Sequence, residues 1–310
     1  LKLSKLSGLV AVLLSNAAIA ESYQSFTTLS YSKTDYSFNT PKNIYYSKGD
    51  SSSVGLYSQY FFDEKQTLGP LNEFNYINTS SNFSASINSL DSNGFSSYDA
   101  QESSSDSSVK NVSVGGEWIT HNVILGASYS HYQFETKAPA YTIDYNDNDN
   151  IYSATLGYLV SDDFVIRANY NDGGDGDDSF SYSASYNLQL VDTDYIGFSY
   201  NVDEDFDIHN LSSRYFFGFA EQSYLVVGGN YTLDNSDNFF ADDYWSANAS
   251  YYYDDKTSVS VSYADNDFYS VGARYFINNN YSIQAGYNSV SGDKNQGESE
   301  GYHFSFSAQF

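Results

Sequence analysis

The stretch SFSYSASYNLQL, residues 179–190, decides the fold. Phe180, Tyr182, Ala184, Tyr186, Leu188 and Leu190 share one parity, and Ser179, Ser181, Ser183, Ser185, Asn187 and Gln189 share the other. A side-chain period of two belongs to an extended strand, whose successive residues point to opposite faces. The same grammar returns in FVIRANY (164–170), YIGFSYNV (195–202), YLVVGGNYTL (224–233), TSVSVSYA (257–264) and FYSVGARYF (268–276). Outward from these segments no sustained helical period appears. After residue 20 no apolar run approaches the roughly 20 residues that a spanning helix needs.

The polar parity is the informative one. A soluble sandwich carries Lys and Glu on its outward face, whereas this face is mostly Ser, Asn, Gly and Thr, and the opposite one is Tyr, Phe, Val and Ala. Such a strand suits lipid on one side and a wet lumen on the other. Hydrocarbon tolerates no unpaired backbone groups, so the sheet must close on itself. The expected fold class is all-β, a transmembrane antiparallel β-barrel. Short polar connections at 120–122, 161–163, 192–194, 254–256 and 278–280 read as periplasmic turns, rich in the Asn and Asp that tight turns favour. The alternating set at 34–50, 92–108, 138–146, 173–177, 234–240 and 291–299 is often longer and reads as extracellular loops. Sixteen strands fit this alternation, with fourteen or eighteen left open; an even number puts both termini on the periplasmic side. Residues 71–91 fit least well. Phe74 and Tyr76 share one parity, and Phe83, Ala85 and Ile87 share the other. The expectation there is one strand interrupted near Ser80-Ser81, or a periplasmic segment followed by a strand.

The first twenty residues, LKLSKLSGLVAVLLSNAAIA, place Lys2 and Lys5 ahead of an apolar run at 6–14 that is too short to span a bilayer. Ala18-Ile19-Ala20 follows as a small-x-small cleavage pattern. Residues 1–20 therefore read as a signal peptide, and 21–310 as one exported barrel domain.

Composition narrows the function. A net charge of −26 argues against nucleic-acid binding, which needs Lys and Arg facing phosphate. The 33 Tyr and 22 Phe argue against disorder. The absence of Cys removes disulfides, thiol nucleophiles and thiolate metal sites. His121, His131, His209 and His303 stand in no evident constellation with Asp, and no G-x-S-x-G occurs. No enzymatic activity, no cofactor and no metal site are expected.

The chain ends in GYHFSFSAQF (301–310), with Tyr302, Phe304, Phe306 and Phe310 on one parity. This terminal alternation resembles the signal that outer-membrane barrels present to the barrel-assembly machinery. The start of the exported chain, ESYQSFTTLSYSKTD (21–35), and the stretch YFFDEKQTLGPLNEFNYINTSSNFSASI (60–87) resemble the general bacterial porin family of Gram-negative outer membranes. The resemblance is best over residues 21–91. It implies an outer-membrane channel for passive diffusion of small hydrophilic solutes, arranged as a homotrimer among outer-membrane lipids and lipopolysaccharide. Sixteen-stranded general porins fold a long third loop into the lumen. Here the third outer loop, 138–146, is short, so another segment is expected to form any constriction.

Charge supplies the candidate site residues. The only arginines, Arg167, Arg214 and Arg274, all fall on the lumen parity, each about four residues from a periplasmic turn. With Glu117 and Glu73 they form an expected sparse ring of pore-lining charge, of the kind that sets selectivity. The acid clusters Asp144, Asp147 and Asp149, then Asp172, Asp175, Asp177 and Asp178, then Asp203, Glu204, Asp205 and Asp207 form an acidic outer rim. None matches a calcium-loop spacing. A rim of that sign favours cations at the mouth. Two other readings stay open: a substrate-specific pore, for example for sugars, with Tyr195, Tyr224, Tyr244 and Tyr252 facing the lumen; and a non-conducting structural or adhesive barrel plugged by 34–50 and 92–108.

Overall fold

The computed structural model describes residues 22–39, 45–98, 101–173, 178–191, 194–220, 222–236, 242–292 and 297–310. The expected signal peptide and the acidic positions Asp175 and Asp177 lie outside them.

Sixteen strands form one closed antiparallel barrel in simple sequential order, with the last strand paired to the first. Six long strands come first: β1 (Ser22–Asn39), β2 (Tyr45–Gln66), β3 (Asn82–Tyr98), β4 (Gln101–Thr120), β5 (Val123–Ala138) and β6 (Ile143–Ser161). Ten shorter strands follow: β7 (Phe164–Asn171), β8 (Ser179–Val191), β9 (Asp194–Asp203), β10 (Ile208–Ala220), β11 (Ser223–Asp234), β12 (Tyr244–Tyr252), β13 (Thr257–Ala264), β14 (Phe268–Phe276), β15 (Tyr281–Ser291) and β16 (Glu298–Gln309). Closure pairs Leu29 with Phe306 and Tyr31 with Phe304, so the apolar parity stays continuous across the seam. The end bearing the short turns and both termini is taken as periplasmic.

The alternation read from residues 179–190 has the expected consequence. Phe180, Tyr182, Tyr186, Leu188 and Leu190 are exposed on the outside, as are Val259, Val261, Phe304 and Ile283 on other strands. In water such a surface would aggregate; in a bilayer it is solvated. On the inside, hydroxyls and amides pair across neighbouring strands. Ser113 and Ser130 stand 2.7 Å apart, Ser262 and Ser270 2.6 Å, and Thr155 donates to Asn169 at 2.9 Å.

Two expectations about the loops need correction. Residues 34–50 and 92–108 are largely strand: β1 to β4 run far past the apolar band, and β2 alone has 22 residues. At roughly 3.3 Å per residue it is about 70 Å long, well over twice the apolar band. Their outward face then changes character, from Leu29 and Tyr31 to Lys33 and Asp35 along β1. The polar outer ends had disguised these strands as loops, because an outward face in water needs no apolar residue. The third loop, 138–146, shrinks to a single 3-10 turn at Pro139–Tyr141. The ambiguous stretch 71–91 is a periplasmic segment followed by a strand, with β3 beginning at Asn82.

Candidate functional site: a periplasmic insert in the lumen

Residues 67–81, TLGPLNEFNYINTSS, join β2 to β3 at the periplasmic end. They do not make a turn outside the barrel; they enter it. Gly69-Pro70 breaks the strand pattern, and an isolated bridge pairs Thr67 with Phe74. Gly69 has φ +128°, and a Cβ there would lie 2.3 Å from the Tyr224 ring, so only glycine fits. Pro70, Leu71, Glu73, Ile77 and Ser80 are all buried.

The insert touches the wall on every side. Phe74 meets Tyr23 and Phe26 of β1 edge-on, at 6.4 and 5.3 Å between ring centres. The Leu71 N–H donates to the Asp255 carbonyl (2.9 Å), and Gln309 of β16 donates to the Leu71 carbonyl (3.0 Å). The Ile119 N–H of β4 donates to Ser81 Oγ at 2.8 Å. Ile77 closes an apolar cluster with Ile124, Leu159 and Val165 from β5, β6 and β7. Further round the wall, on β9 to β12, Tyr195, Phe216, Val226 and Tyr252 form a second cluster, against which Leu68 and Tyr76 pack. Tyr76 lies over Gly197, where a Cβ would come within 2.5 Å of the ring. It heads an aromatic series: Tyr76 to Tyr195 (5.9 Å), Tyr195 to Phe216 (5.6 Å), Phe216 to Tyr224 (5.6 Å).

The charges sort into two compensated pairs and one exception. Glu73, with 5% of its side chain exposed, pairs with Arg214 of β10 and accepts from the Tyr252 hydroxyl, which also takes a bond from Asn72 at 3.2 Å. A carboxylate at that depth needs such partners. Arg167 of β7 stands 3.4 Å from Glu117 of β4, across the lumen wall. Arg167 Nε is buried without hydrogen-bond geometry, so this contact is coulombic only. Arg274 of β14 has no carboxylate partner among the described residues. Its Nε and Nη2 both donate to Gln284 Oε1 of β15, at 3.1 and 2.5 Å. Each expected lumen charge therefore faces inward, but the five do not form one ring.

Above the insert the inward face is almost neutral. By strand register it carries mostly Ser, Asn, Thr and Gly, with Glu117, Arg167, Arg274 and His303 as its acidic and basic side chains on the described strand interiors. Among the described residues, inward carboxylates return at the rim, at Asp147, Asp149, Asp203 and Asp234. Hydrogen bonds from Tyr145 and the Asn148 N–H hold the Asp147 carboxyl below its ordinary range. Bonds from the Ser236 hydroxyl and N–H do the same for Asp234. No group of three or more His, Cys, Asp or Glu able to hold a metal occurs among the described residues.

The sequence pointed to Glu73 and its arginine partner but not to the insert that carries Glu73, nor to Tyr252, Asn72, Tyr76 or Gln284 as partners. The signal was present in Gly69-Pro70 and in the parity change between Tyr76 and Phe83.

A family described as "Putative general bacterial porin" matches residues 3–310. The chain belongs to this porin family. It is an outer-membrane β-barrel of the channel-forming kind. Among solved structures, Pseudomonas putida OprB is similar over 99% of this chain and 97% of its own, at 10% identity and a TM-score of 0.54. A deletion mutant of TodX, described as a monoaromatic hydrocarbon channel, matches over 97% and 94%, at 12% identity and a TM-score of 0.53. Pseudomonas aeruginosa OccK7 matches over 93% and 99%, at 10% identity and a TM-score of 0.50. Likeness at these identities speaks for the fold of the porin alone. Comparison with curated proteins finds no match.

Proposed function

We propose that this porin passes small hydrophilic solutes by passive diffusion, through a lumen that residues 67–81 narrow at its periplasmic mouth. One contrast carries the reading: a wall of paired Ser, Thr and Asn groups above, and a packed insert below. A lumen of neutral hydroxyls and amides replaces hydration without holding a solute tightly. Constriction at the inner end takes the place of an outer third loop. The rim carboxylates favour cations at the mouth. Rings of charge tune selectivity, and here Glu117 with Arg167 and Glu73 with Arg214 cancel locally.

A second reading has its own support. Glu73 is buried and paired, and two apolar clusters anchor the insert, as suits a barrel kept closed. Single-channel conductance in a planar bilayer, with reversal potential across a KCl gradient, separates the two. Steady conductance with cation-selective reversal supports the diffusion channel. Anion selectivity keeps the channel and transfers control to the arginines. Folded protein without conductance rejects diffusion and leaves a structural barrel.

The partners belong to the same proposal. Residues 1–20 serve as a signal peptide removed on export. Tyr302, Phe304, Phe306 and Phe310 present the closing strand to the barrel-assembly machinery. Lipid and lipopolysaccharide surround the apolar band, and a homotrimer is the assembly the family resemblance implies.

A further inference from the structure

The geometry points to a binding station for a small carboxylate on the β13–β16 wall, centred on Arg274. It deepens the channel reading and rests on it in one respect, that solutes enter the lumen. Three observations converge. First, Arg274 is the one lumen arginine without a carboxylate partner among the described residues; Gln284, which carries no charge, occupies its Nε and Nη2. A guanidinium has five N–H donors, so three remain, and its planar fork matches a carboxylate.

Second, the wall beside it is recessed. Gly272 and Gly286 pair across β14 and β15 on the same inward face, one same-face step from Arg274 and Gln284, a spacing of roughly 7 Å. Gly272 leaves the wall low beside Arg274, while the space above Gly286 is taken by the His303 ring. Third, polar side chains stand on either side of Gly272. The His303 ring lies over Gly286, where a Cβ would fall 2.2 Å from its Cε1, and Ser260 Oγ stands 3.0 Å from the Cβ position of Gly272. A bidentate carboxylate on Arg274 would extend its carbon chain over Gly272, between Ser260 and the edge of the His303 ring.

The position also fits the distribution of charge. The acidic rim lies far above, and the nearest lumen carboxylates, Glu73 and Glu117, are already paired. A solute carboxylate reaching this depth meets a guanidinium that no carboxylate contacts directly, although the Glu73 charge reaches it. The station therefore retards carboxylates relative to neutral solutes of the same size.

The test is titration of the detergent-solubilised barrel with succinate by isothermal calorimetry, which does not require conduction. Succinate should bind the native protein. Arg274→Gln should weaken binding at least tenfold. Gln284→Glu, which leaves the guanidinium in place but gives it a carboxylate, should do the same. Lys110→Gln, which removes one positive charge from the outer face, should leave binding unchanged. Heat-modifiable migration on gels checks that each variant is folded. Absence of succinate binding, or binding that survives in folded Arg274→Gln or Gln284→Glu, overturns the station. Binding that depends on Arg274 in a barrel without conductance keeps the station and rejects diffusion, so the two claims fail separately.

Discussion

The periplasmic third of the lumen and the remainder above it are built on different physics. Above, the inside of the barrel is not a core at all. Its side chains are half-exposed Ser, Asn and Thr, joined in cross-strand pairs, and stability comes from backbone ladders and from lipid outside. Below, the largest fully buried side chains are concentrated: Tyr23, Ile124, Val165, Tyr195, Phe216, Pro70 and Ser282. Among the described residues, the two buried apolar clusters lie where the insert supplies their other half. Substitutions should therefore cost little in the upper lumen and much where the insert packs against the wall.

That difference can be broken from below. Phe216→Ala removes a fully buried ring from the cluster behind Tyr76 and should cost about 3–5 kcal/mol, read by urea unfolding in detergent. Arg214→Met leaves Glu73 buried with only Tyr252 as partner. Because 35% of the Arg214 side chain is exposed, the loss should sit near the low end, about 3 kcal/mol. The double variant Glu73→Gln with Arg214→Met should recover most of that loss, since the buried charge is gone. Gly69→Ala should cost about 1–3 kcal/mol through its positive φ and the Tyr224 contact. Ser262→Ala, in the upper lumen, sharpens the comparison from the other side. Water replaces its bond to Ser270, and the change should stay within about 0.5 kcal/mol. An upper-lumen loss as large as that of Phe216→Ala would erase the distinction.

The short wall was legible almost residue by residue. In β7 to β16 nearly the whole strand crosses the apolar band, so the outward residue must be apolar at every second position, and 179–190 or 257–264 spell this out. The tall strands β1 to β6 were legible only as far as the lipid reaches. Above it Lys33, Asp35, Lys48 and Asp50 satisfy the outward face equally well, and the pattern that marks a strand disappears while the strand continues. The insert was visible as a fault in parity but not as a plug. Its fold depends on contacts with Ile124, Tyr195, Phe216 and Gln309, which lie from about 40 to well over 200 positions away along the chain. The charged site was half legible for the same reason. Alternation placed Arg167, Arg214 and Arg274 inward. Only the closed barrel shows that Glu117 and Glu73 take two of them and that Gln284 takes the third.

The central claim is that residues 67–81 narrow the channel. The direct measurement is single-channel conductance of the native protein beside a variant in which residues 68–79 are replaced by an Asn-Gly turn, both checked for folding by heat-modifiable migration. The account predicts a several-fold rise in conductance for the shortened barrel. Equal conductance in two folded barrels would contradict it and place the constriction elsewhere.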